Sequence, residues 1–216
     1  MESTVLLSYS NRDIEKRRAM STVERFNSQT ESHRVFGYDY FDNPAGMGYG
    51  GYYYDGRYAD EVKKIVDFYQ LQAHSRICEI GCAKGFLLVE FYKLGFEVTG
   101  IDLSKYCVDN AHELIKSNIF YGNAADFEFP DNHFDLIICK EMLPHVTLDE
   151  AEKILRQMNK WTKNSLLIIQ CISDTKYADS FLYWDATHKI ALTKDEWITF
   201  LENSGFCGQY NLKEII

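Results

Sequence analysis

Proline, basic charge and long hydrophobic runs are all scarce in this sequence of 216 residues. Three residues are proline, and 23 Lys and Arg stand against 32 Asp and Glu, which gives a formal net charge of −9 at pH 7. Proteins that bind nucleic acid usually present a basic surface to the phosphates, so this acidic chain is not expected to bind DNA or RNA. The basic run "KRR" at 16–18 is explained more simply as a solvated helix face.

Signals for export, membrane insertion and metal ribbons are also missing. No 18 consecutive residues are apolar, and the opening "MESTVLLSYSNRDIEKRR" has too short an apolar core for a signal peptide. The six cysteines lack zinc-ribbon spacing, and Cys78 and Cys82 form CxxxC rather than CxxC. Cys78, Cys139 and Cys171 lie in hydrophobic runs, where a thiol behaves as a small apolar group. We therefore expect a soluble, reduced, cytoplasmic protein with no membrane-inserted part.

Aromatic residues are plentiful, with 15 Tyr and 14 Phe, and many of them crowd near the N-terminus. Residues 1–35 are polar with weak helical periodicity and predict an N-terminal helical extension. Residues 36–58, "FGYDYFDNPAGMGYGGYYYDGRY", follow neither helical nor strand periodicity and predict an ordered Gly/Tyr-rich loop. We therefore divide the chain into an extension with this loop, residues 1–58, and a main domain, residues 59–216.

From residue 59 onward, short apolar runs alternate with helical patterns. The predicted strands cover 76–81, 97–103, 118–124, 134–141, 165–172 and part of 206–216, and the predicted helices cover 59–71, 86–95, 105–115, 148–162 and 192–205. This alternation predicts a doubly wound α/β fold, with a mostly parallel sheet of six or seven strands and helices on both faces. Ligands of such sheets bind at the carboxyl ends of the strands.

The first strand ends in the turn "GCAKG", flanked by Gly81 and Gly85. Glycine there permits unusual backbone angles and lets a ligand approach the backbone. Asp102 ends the second strand 21 residues after Gly81, where a carboxylate can accept hydrogen bonds from both hydroxyls of a ribose. A helix-capping Asp and a plain glycine turn are the alternatives. Together the two features favour a nucleotide site.

The spacing of the turn bears on which nucleotide it holds. The dinucleotide fingerprint is G-x-G-x-x-G, whereas this turn is one residue shorter and has Ala83 at its middle position. Glu79 stands two residues before Gly81, and its carboxylate would repel a pyrophosphate but attract an ammonium or sulfonium group. These features favour a cationic cofactor, with an NAD-dependent oxidoreductase as the rival enzyme.

Four segments, "CEIGCAKG", "GIDLS", "GNAADFEFPDNHFDLIICKEMLPHV" and "SLLIIQCI", resemble in order and spacing the motifs of class I S-adenosylmethionine-dependent methyltransferases. The resemblance covers about residues 59–216. It implies an enzyme with a Rossmann-like fold and S-adenosylmethionine as cofactor. Members usually end in a two-strand hairpin, but "FCGQYNLKEII" suffices for one strand. We therefore expect a strand order such as 3-2-1-4-5-6, or a shortened chain.

The resemblance also implies a set of cofactor-binding residues. These are Glu79, Gly81, Cys82, Ala83, Gly85, Asp102, Leu103, Asn123, Ala124 and Lys140. Asp102 would hold the ribose hydroxyls, and Leu103 would pack on the adenine. Asn123 replaces the usual Asp near the adenine amino group, where its carbonyl oxygen can still accept a hydrogen bond. Ala83 in place of a middle glycine is a mild departure from the pattern.

The stretch "GMGYGGYYYDGRY" (46–58) is similar to that of a bacterial group of small-molecule methyltransferases with YDGR upstream of GCAKG. Some of that group are associated with cell-surface polysaccharide biosynthesis. We predict a lid over the cofactor, to which Tyr54 and Arg57 contribute, with Arg57 meeting a carboxylate in a two-point fork. The alternative is that the tyrosines pack on the core and Arg57 pairs with Asp55 or Asp60.

Acceptor residues are expected after the fourth and fifth strands. His145, in "KEMLPHV", is a candidate general base, and His188 with Asp185, in "YWDATHK", is an alternative base pair. A metal site of Asp185, His188 and Glu141 is the weakest of these options, and we predict no bound metal.

The predicted function is methyl transfer to a small molecule. The favoured acceptor is a hydroxyl of a sugar or nucleotide-activated sugar. N-methylation of a small amine or amide, and a non-catalytic binding protein, are the alternatives.

Overall fold

A parallel six-stranded sheet forms the centre of the structure, a computed structural model that describes residues 18–45 and 48–216. The strands are β1 Arg76–Ile80, β2 Glu97–Asp102, β3 Ile119–Tyr121, β4 Leu136–Lys140, β5 Ser165–Cys171 and β6 Gln209–Glu214. Their order is β3-β2-β1-β4-β5-β6, and every neighbouring pair is parallel. The predicted doubly wound fold and strand order are confirmed for the described residues.

Eight α-helices lie within the described residues and surround the sheet. They are α1 Val23–Asn27, α2 Tyr38–Phe41, α3 Ala59–Tyr69, α4 Phe86–Lys93, α5 Lys105–Asp109, α6 Leu148–Trp161, α7 Ala178–Trp184 and α8 Lys194–Asn203. Short 3₁₀ turns cover Glu31–Arg34, Lys116–Asn118, Ala124–Asp126, Leu143–His145 and Thr175–Tyr177. Reciprocal capping boxes open α6, through Thr147 and Glu150, and α8, through Thr193 and Glu196.

Hydrophobic cores cover both faces of the sheet, which is why the sequences of its central strands β1, β4 and β5 are nearly continuous apolar runs rather than alternating ones. All seven residues of β5 are buried. One core contains Trp161 and Trp197 from α6 and α8, and the other contains Ile65 and Phe91 from α3 and α4. The five buried cysteines are free thiols, as is the exposed Cys207. Among the described helices, none combines the length and the apolar composition that a membrane crossing requires.

Three segments differ from the sequence-based expectation. The helix predicted for 105–115 ends at Asp109, because Asn110 caps it with Nδ2 donating to the Tyr106 carbonyl at 2.8 Å. Asp and Asn side chains compete with the helical backbone for such bonds. The predicted loop at 36–58 contains α2, and the connection after β5 contains α7.

The described part of the N-terminal extension packs against α7. The Phe26 and Tyr183 rings lie 5.3 Å apart, and the Arg25 guanidinium lies 4.9 Å from the Trp184 ring. Residues 1–17 of the predicted extension, and Gly46 and Met47 of the predicted loop, lie outside the described residues. The extension therefore reaches the connection after β5 that was predicted to carry acceptor residues.

Candidate cofactor and acceptor site

A cavity opens at the carboxyl ends of β1, β2 and β4, beneath the aromatic segment. The residues that were predicted to bind the cofactor or to act in catalysis and that line this cavity are Glu79, Gly81, Cys82, Ala83, Asp102, Leu103, Asn123, Ala124, Lys140 and His145. The parallel topology brings the ends of these strands to one edge, although the residues are up to 66 positions apart.

The turn after β1 has left-handed backbone at three of its residues, Gly81, Ala83 and Gly85. Gly81 has φ +74°, and a Cβ atom built there would lie 2.5 Å from Met142 Cγ. Ala83 has φ +49°, a conformation that costs a non-glycine residue roughly 1–2 kcal/mol. Alanine in place of the usual glycine at position 83 therefore adds backbone strain as well as a methyl group.

Asp102 holds this turn in place from the end of β2. Its Oδ2 accepts from the Ala83 N–H at 2.6 Å, and its Oδ1 accepts from the Ser104 N–H at 2.7 Å. Burial raises the pKa of Asp102 to about 6, although these two backbone donors oppose the shift. Each carboxylate oxygen has a second lone pair, so both can still accept from a ligand diol.

Glu79 points a buried carboxylate at the cavity. Its side chain is 4% exposed, and its Oε2 has no hydrogen-bond partner among the described residues. Burial raises the pKa of Glu79 to about 8, while the charge of Lys140 lowers it. A buried carboxylate oxygen without a partner is costly, and a ligand ammonium would satisfy it. The residues at this end of the cavity therefore fit the amino-acid part of S-adenosylmethionine.

Leu103, Asn123 and Ala124 line the part of the cavity where the family resemblance predicts the adenine. Asn123 is already engaged on both sides of its amide. Its Nδ2 donates to Glu150 Oε1 at 2.9 Å, and its Oδ1 accepts from the Ala125 N–H at 3.0 Å. A second lone pair on Oδ1 is the acceptor that remains for a ligand amino group.

Six aromatic side chains that the sequence analysis did not assign individually also line the cavity. They are Phe36, Tyr40, Phe41, Tyr49, Tyr52 and Tyr58. Phe41 stacks on Tyr49 with ring centroids 5.7 Å apart, and Tyr52 stacks on Phe86 of α4 at 4.8 Å. The aromatic density of residues 36–58 was the signal for them, but no periodicity distinguished the rings that face inward.

Tyr54, Arg57 and Gly85 were predicted to bind the cofactor, but they do not line the cavity. The Tyr54 hydroxyl bonds to Glu90 and Lys93 on α4. Arg57 forms a fork with Asp55 at the surface, where Arg57 Nη2 lies 2.7 Å from Asp55 Oδ2. Gly85, with φ +76°, begins α4, and a Cβ there would meet Ile115 Cδ1 at 2.5 Å. For Arg57 the structure follows the alternative weighed in the sequence analysis.

A hydrogen-bonded chain runs behind the acceptor end of the cavity, where His145 forms part of the wall. Thr187 Oγ1 donates to Asp185 Oδ1 at 2.6 Å and lies 2.9 Å from His145 Nδ1. Because the single Thr187 proton goes to the carboxylate, His145 Nδ1–H must be the donor to Thr187. The lone pair of a neutral His145 ring is therefore on Nε2.

Asp185 and His188 do not line the cavity but lie next to His145. The His145 and His188 ring centroids are 4.6 Å apart, and His188 Nδ1 lies 3.2 Å from the Phe181 carbonyl. Burial lowers the pKa of His145. Burial alone would raise the pKa of Asp185, but His188, His145 and the bonds from Thr187 lower it to about 2. The two candidate bases of the sequence analysis thus form a single cluster.

Comparisons with known proteins agree with this geometry. A family profile described as "Methyltransferase domain" matches residues 77–165. The phosphoethanolamine N-methyltransferase of Plasmodium falciparum is 29% identical over 157 residues, covering 68% of this chain and 59% of that protein. The ubiquinone biosynthesis O-methyltransferase of Rickettsia bellii is 28% identical over 122 residues, covering 54% and 50%. The chain therefore spans between half and three fifths of the length of these relatives.

Solved structures share the fold. The YcgJ protein of Bacillus subtilis superposes with a TM-score of 0.55 at 22% identity, covering 66% of each chain. A SAM-dependent methyltransferase of Archaeoglobus fulgidus superposes with a TM-score of 0.53 at 21% identity, covering 68% of each chain. Together, these comparisons show that residues 77–165 match a methyltransferase domain and that the chain shares the Rossmann-like fold of the solved structures.

Proposed function

We propose that this chain transfers the methyl group of S-adenosylmethionine to a hydroxyl group of a sugar or nucleotide-activated sugar. One observation carries the proposal: a single cavity has cofactor-type residues at one end, including Glu79 and Asp102, and the wall residue His145 at the other. The resemblance of the YDGR stretch to methyltransferases of cell-surface polysaccharide biosynthesis is the reason for favouring sugars among hydroxylated acceptors.

S-adenosylmethionine supplies an activated methyl group when it is bound. The chain's own residues have to orient the two reactants and exclude water. Asp102 offers oxygen acceptors to the ribose, and Glu79 offers a carboxylate to the ammonium. The buried Tyr40 and Phe41 cover the cavity and reduce the access of solvent. Holding donor and acceptor in line accounts for most of what such a transfer requires.

The acceptor proton is the second requirement. A hydroxyl is a weak nucleophile until its proton leaves, so the acceptor end needs a group that promotes this loss. His145 is on the cavity wall, and Thr187 fixes its ring through Nδ1. The cluster of His145, Asp185 and His188 is the acceptor-activating group of this proposal.

An amine acceptor is a second candidate, favoured by Glu141. This residue is 8% exposed, lines the cavity and has left-handed backbone with φ +56°. Strained backbone of this kind concentrates at functional sites, and this buried carboxylate, which lies 3.6 Å from Lys140 Nζ, would also attract an ammonium acceptor. The Plasmodium relative is named for N-methylation of phosphoethanolamine. Under this reading the product would carry an N-methyl group.

Calorimetric titration with S-adenosylhomocysteine and with NAD tests the cofactor part of the proposal. We expect micromolar binding of S-adenosylhomocysteine, no binding of NAD, and loss of binding in Asp102→Ala. Asp126→Ala, an exposed acid outside the cavity lining, is the matched control and should bind normally. Circular dichroism shows whether each variant is folded.

Transfer is then tested with S-adenosylmethionine and separate panels of sugar nucleotides and small amines, with mass spectrometry of the products. An O-methylated sugar supports the main proposal, and an N-methylated amine supports the second candidate. Binding without transfer to any member of either panel would contradict both and favour a non-catalytic protein.

A further inference from the structure

We propose that His145, Asp185 and His188 bind one divalent first-row metal ion of the Zn²⁺ type at the acceptor end of the cavity. One potential ligand atom from each residue lies within 4.8 Å of the other two. Two imidazoles and one carboxylate are a donor set that suits Zn²⁺ and its first-row neighbours, and three protein ligands leave positions open for water or substrate. The sequence analysis predicted no metal, and the candidate ligand set that it considered contained His188 but not His145.

The histidine rings are oriented as metal ligands usually are. Metal-binding histidines normally donate their other ring N–H to a carboxylate, carbonyl or similar group, which fixes the tautomer. Here His145 Nδ1 lies 2.9 Å from Thr187 Oγ1, and His188 Nδ1 lies 3.2 Å from the Phe181 carbonyl. His188 also stacks on Phe181 at 4.0 Å with an interplanar angle of 12°. Both rings therefore carry their lone pair on Nε2 when neutral.

The carboxylate is held in the same way. Asp185 Oδ2 accepts from the Tyr40 hydroxyl at 2.7 Å, and Oδ1 accepts from Thr187 Oγ1 at 2.6 Å. Tyr40 is 6% exposed, and both hydrogen bonds are partly buried. A half-buried carboxylate beside two imidazole lone pairs is an environment that a cation stabilises. The ligands thus have the supporting contacts that a preformed site requires.

The position of the cluster gives the ion a role. Because His145 lines the cavity, an ion bound there faces the acceptor end. This role, unlike the binding itself, depends on the proposed function. A hydroxyl oxygen near a divalent cation loses its proton more easily. The O–H bond breaks and the proton goes to water; the oxygen electron pair forms the new C–O bond as the C–S bond breaks, with its electron pair left on sulfur.

Calorimetric titration with Zn²⁺ tests the site, using tag-free protein treated with EDTA and then dialysed. We expect a stoichiometry of about one ion per chain, and at least about tenfold weaker binding in Asp185→Asn and in His188→Ala. His133→Ala is the matched control, because this partly buried histidine lies outside the cavity lining and should leave Zn²⁺ binding unchanged. Co²⁺ serves as a second probe, since ligation by the cluster gives a visible absorption band that the two cluster variants should lose.

Equal affinity in the parent, His133→Ala and cluster variants would overturn the proposal, as would the lack of a stoichiometric binding event. If circular dichroism shows that His188→Ala does not fold, the Zn²⁺ affinity of the isosteric Asp185→Asn variant tests the site instead. S-adenosylhomocysteine binding is measured on the same samples. Binding of this ligand without binding of Zn²⁺ would contradict the metal site alone. Binding of Zn²⁺ without binding of this ligand would contradict the proposed function but support the metal site.

Discussion

Lys84 Nζ lies 2.5 Å from Asp42 Oδ2 and joins the glycine turn after β1 to the aromatic segment over the cavity. The Tyr106 hydroxyl donates to the same oxygen at 2.5 Å, and the Tyr52 N–H donates to Oδ1 at 3.0 Å. Burial alone would raise the pKa of Asp42, but Lys84 and Tyr106 lower it below its ordinary value. Asp42 therefore anchors the aromatic segment to the glycine turn after β1.

We predict that Asp42→Ala lowers the free energy of unfolding by about 3 kcal/mol, because it leaves the buried Lys84 ammonium without its main partner. The side chains of Lys84 and Asp42 are only 8% and 14% exposed. Urea unfolding measures the loss. Asp60→Ala breaks an ion pair with Lys63 whose side chains are 63–82% exposed, and should have little effect. Equal losses in the two variants would show that Asp42 is no anchor.

Local patterns predicted the sheet because its central strands β1, β4 and β5 are apolar runs separated by helical patterns. The "GCAKG" turn and Asp102 could be placed at one edge before the structure was known, since parallel strands bring their carboxyl ends together. The pairing of Lys84 with Asp42 could not be predicted from the sequence. It joins two residues 42 positions apart, and Asp42 lies in a segment without periodicity.

The aromatic segment shows the same limit. Its composition indicated a covering structure, but which rings face the cavity depends on packing against α4 and on the short helix α2. Arg57 was assigned to the cofactor because a fork suits a carboxylate, and the nearest carboxylate turned out to be Asp55. Asp185 and Thr187 follow α7, and His145 ends a 3₁₀ turn; neither element was among the helices predicted from the sequence.

Exchanging alanine and glycine within the turn should have opposite effects at neighbouring positions. Gly81→Ala puts a Cβ atom against Met142 and requires left-handed backbone, so we expect a loss of about 1–3 kcal/mol in the free energy of unfolding. Ala83→Gly removes the strain at φ +49° and should raise that free energy by up to about 1 kcal/mol. Urea unfolding of both variants compares them directly. A stabilised Gly81→Ala would refute the proposed backbone requirement.

The raised pKa of Glu79 predicts a pH dependence of stability. The folded protein keeps a proton on Glu79 up to about pH 8, whereas the unfolded chain loses it near the ordinary value of 4.5. Between these values the folded state binds more protons, so rising pH lowers the free energy of unfolding, by at most about 1.4 kcal/mol per pH unit. Glu79→Gln should remove this contribution, and urea unfolding at pH 5, 6, 7 and 8 compares its slope with that of the parent.

Ligand binding should reverse the ionisation of Glu79. An ammonium group beside this carboxylate favours its charged form, so S-adenosylhomocysteine should release close to one proton on binding at pH 7. Calorimetry in buffers of different ionisation enthalpy measures the number. Glu79→Gln should bind more weakly and release fewer protons, and an unchanged release in this variant would show that the proton does not come from Glu79.

The hydrogen-bonded chain from Asp185 through Thr187 predicts the tautomer of His145. In metal-free protein at pH 8, two-bond ¹H–¹⁵N spectra should show a neutral His145 ring protonated on Nδ1, because the Thr187 hydroxyl already donates its hydrogen bond to Asp185 and can only accept from His145. Thr187→Val removes the acceptor and should shift the ring toward the Nε2–H tautomer that free histidine favours, whereas Thr187→Ser should keep the Nδ1–H form. An Nε2–H ring in the parent protein would leave no lone pair facing the acceptor, and would exclude His145 both as a base and as an Nε2 metal ligand in this tautomer.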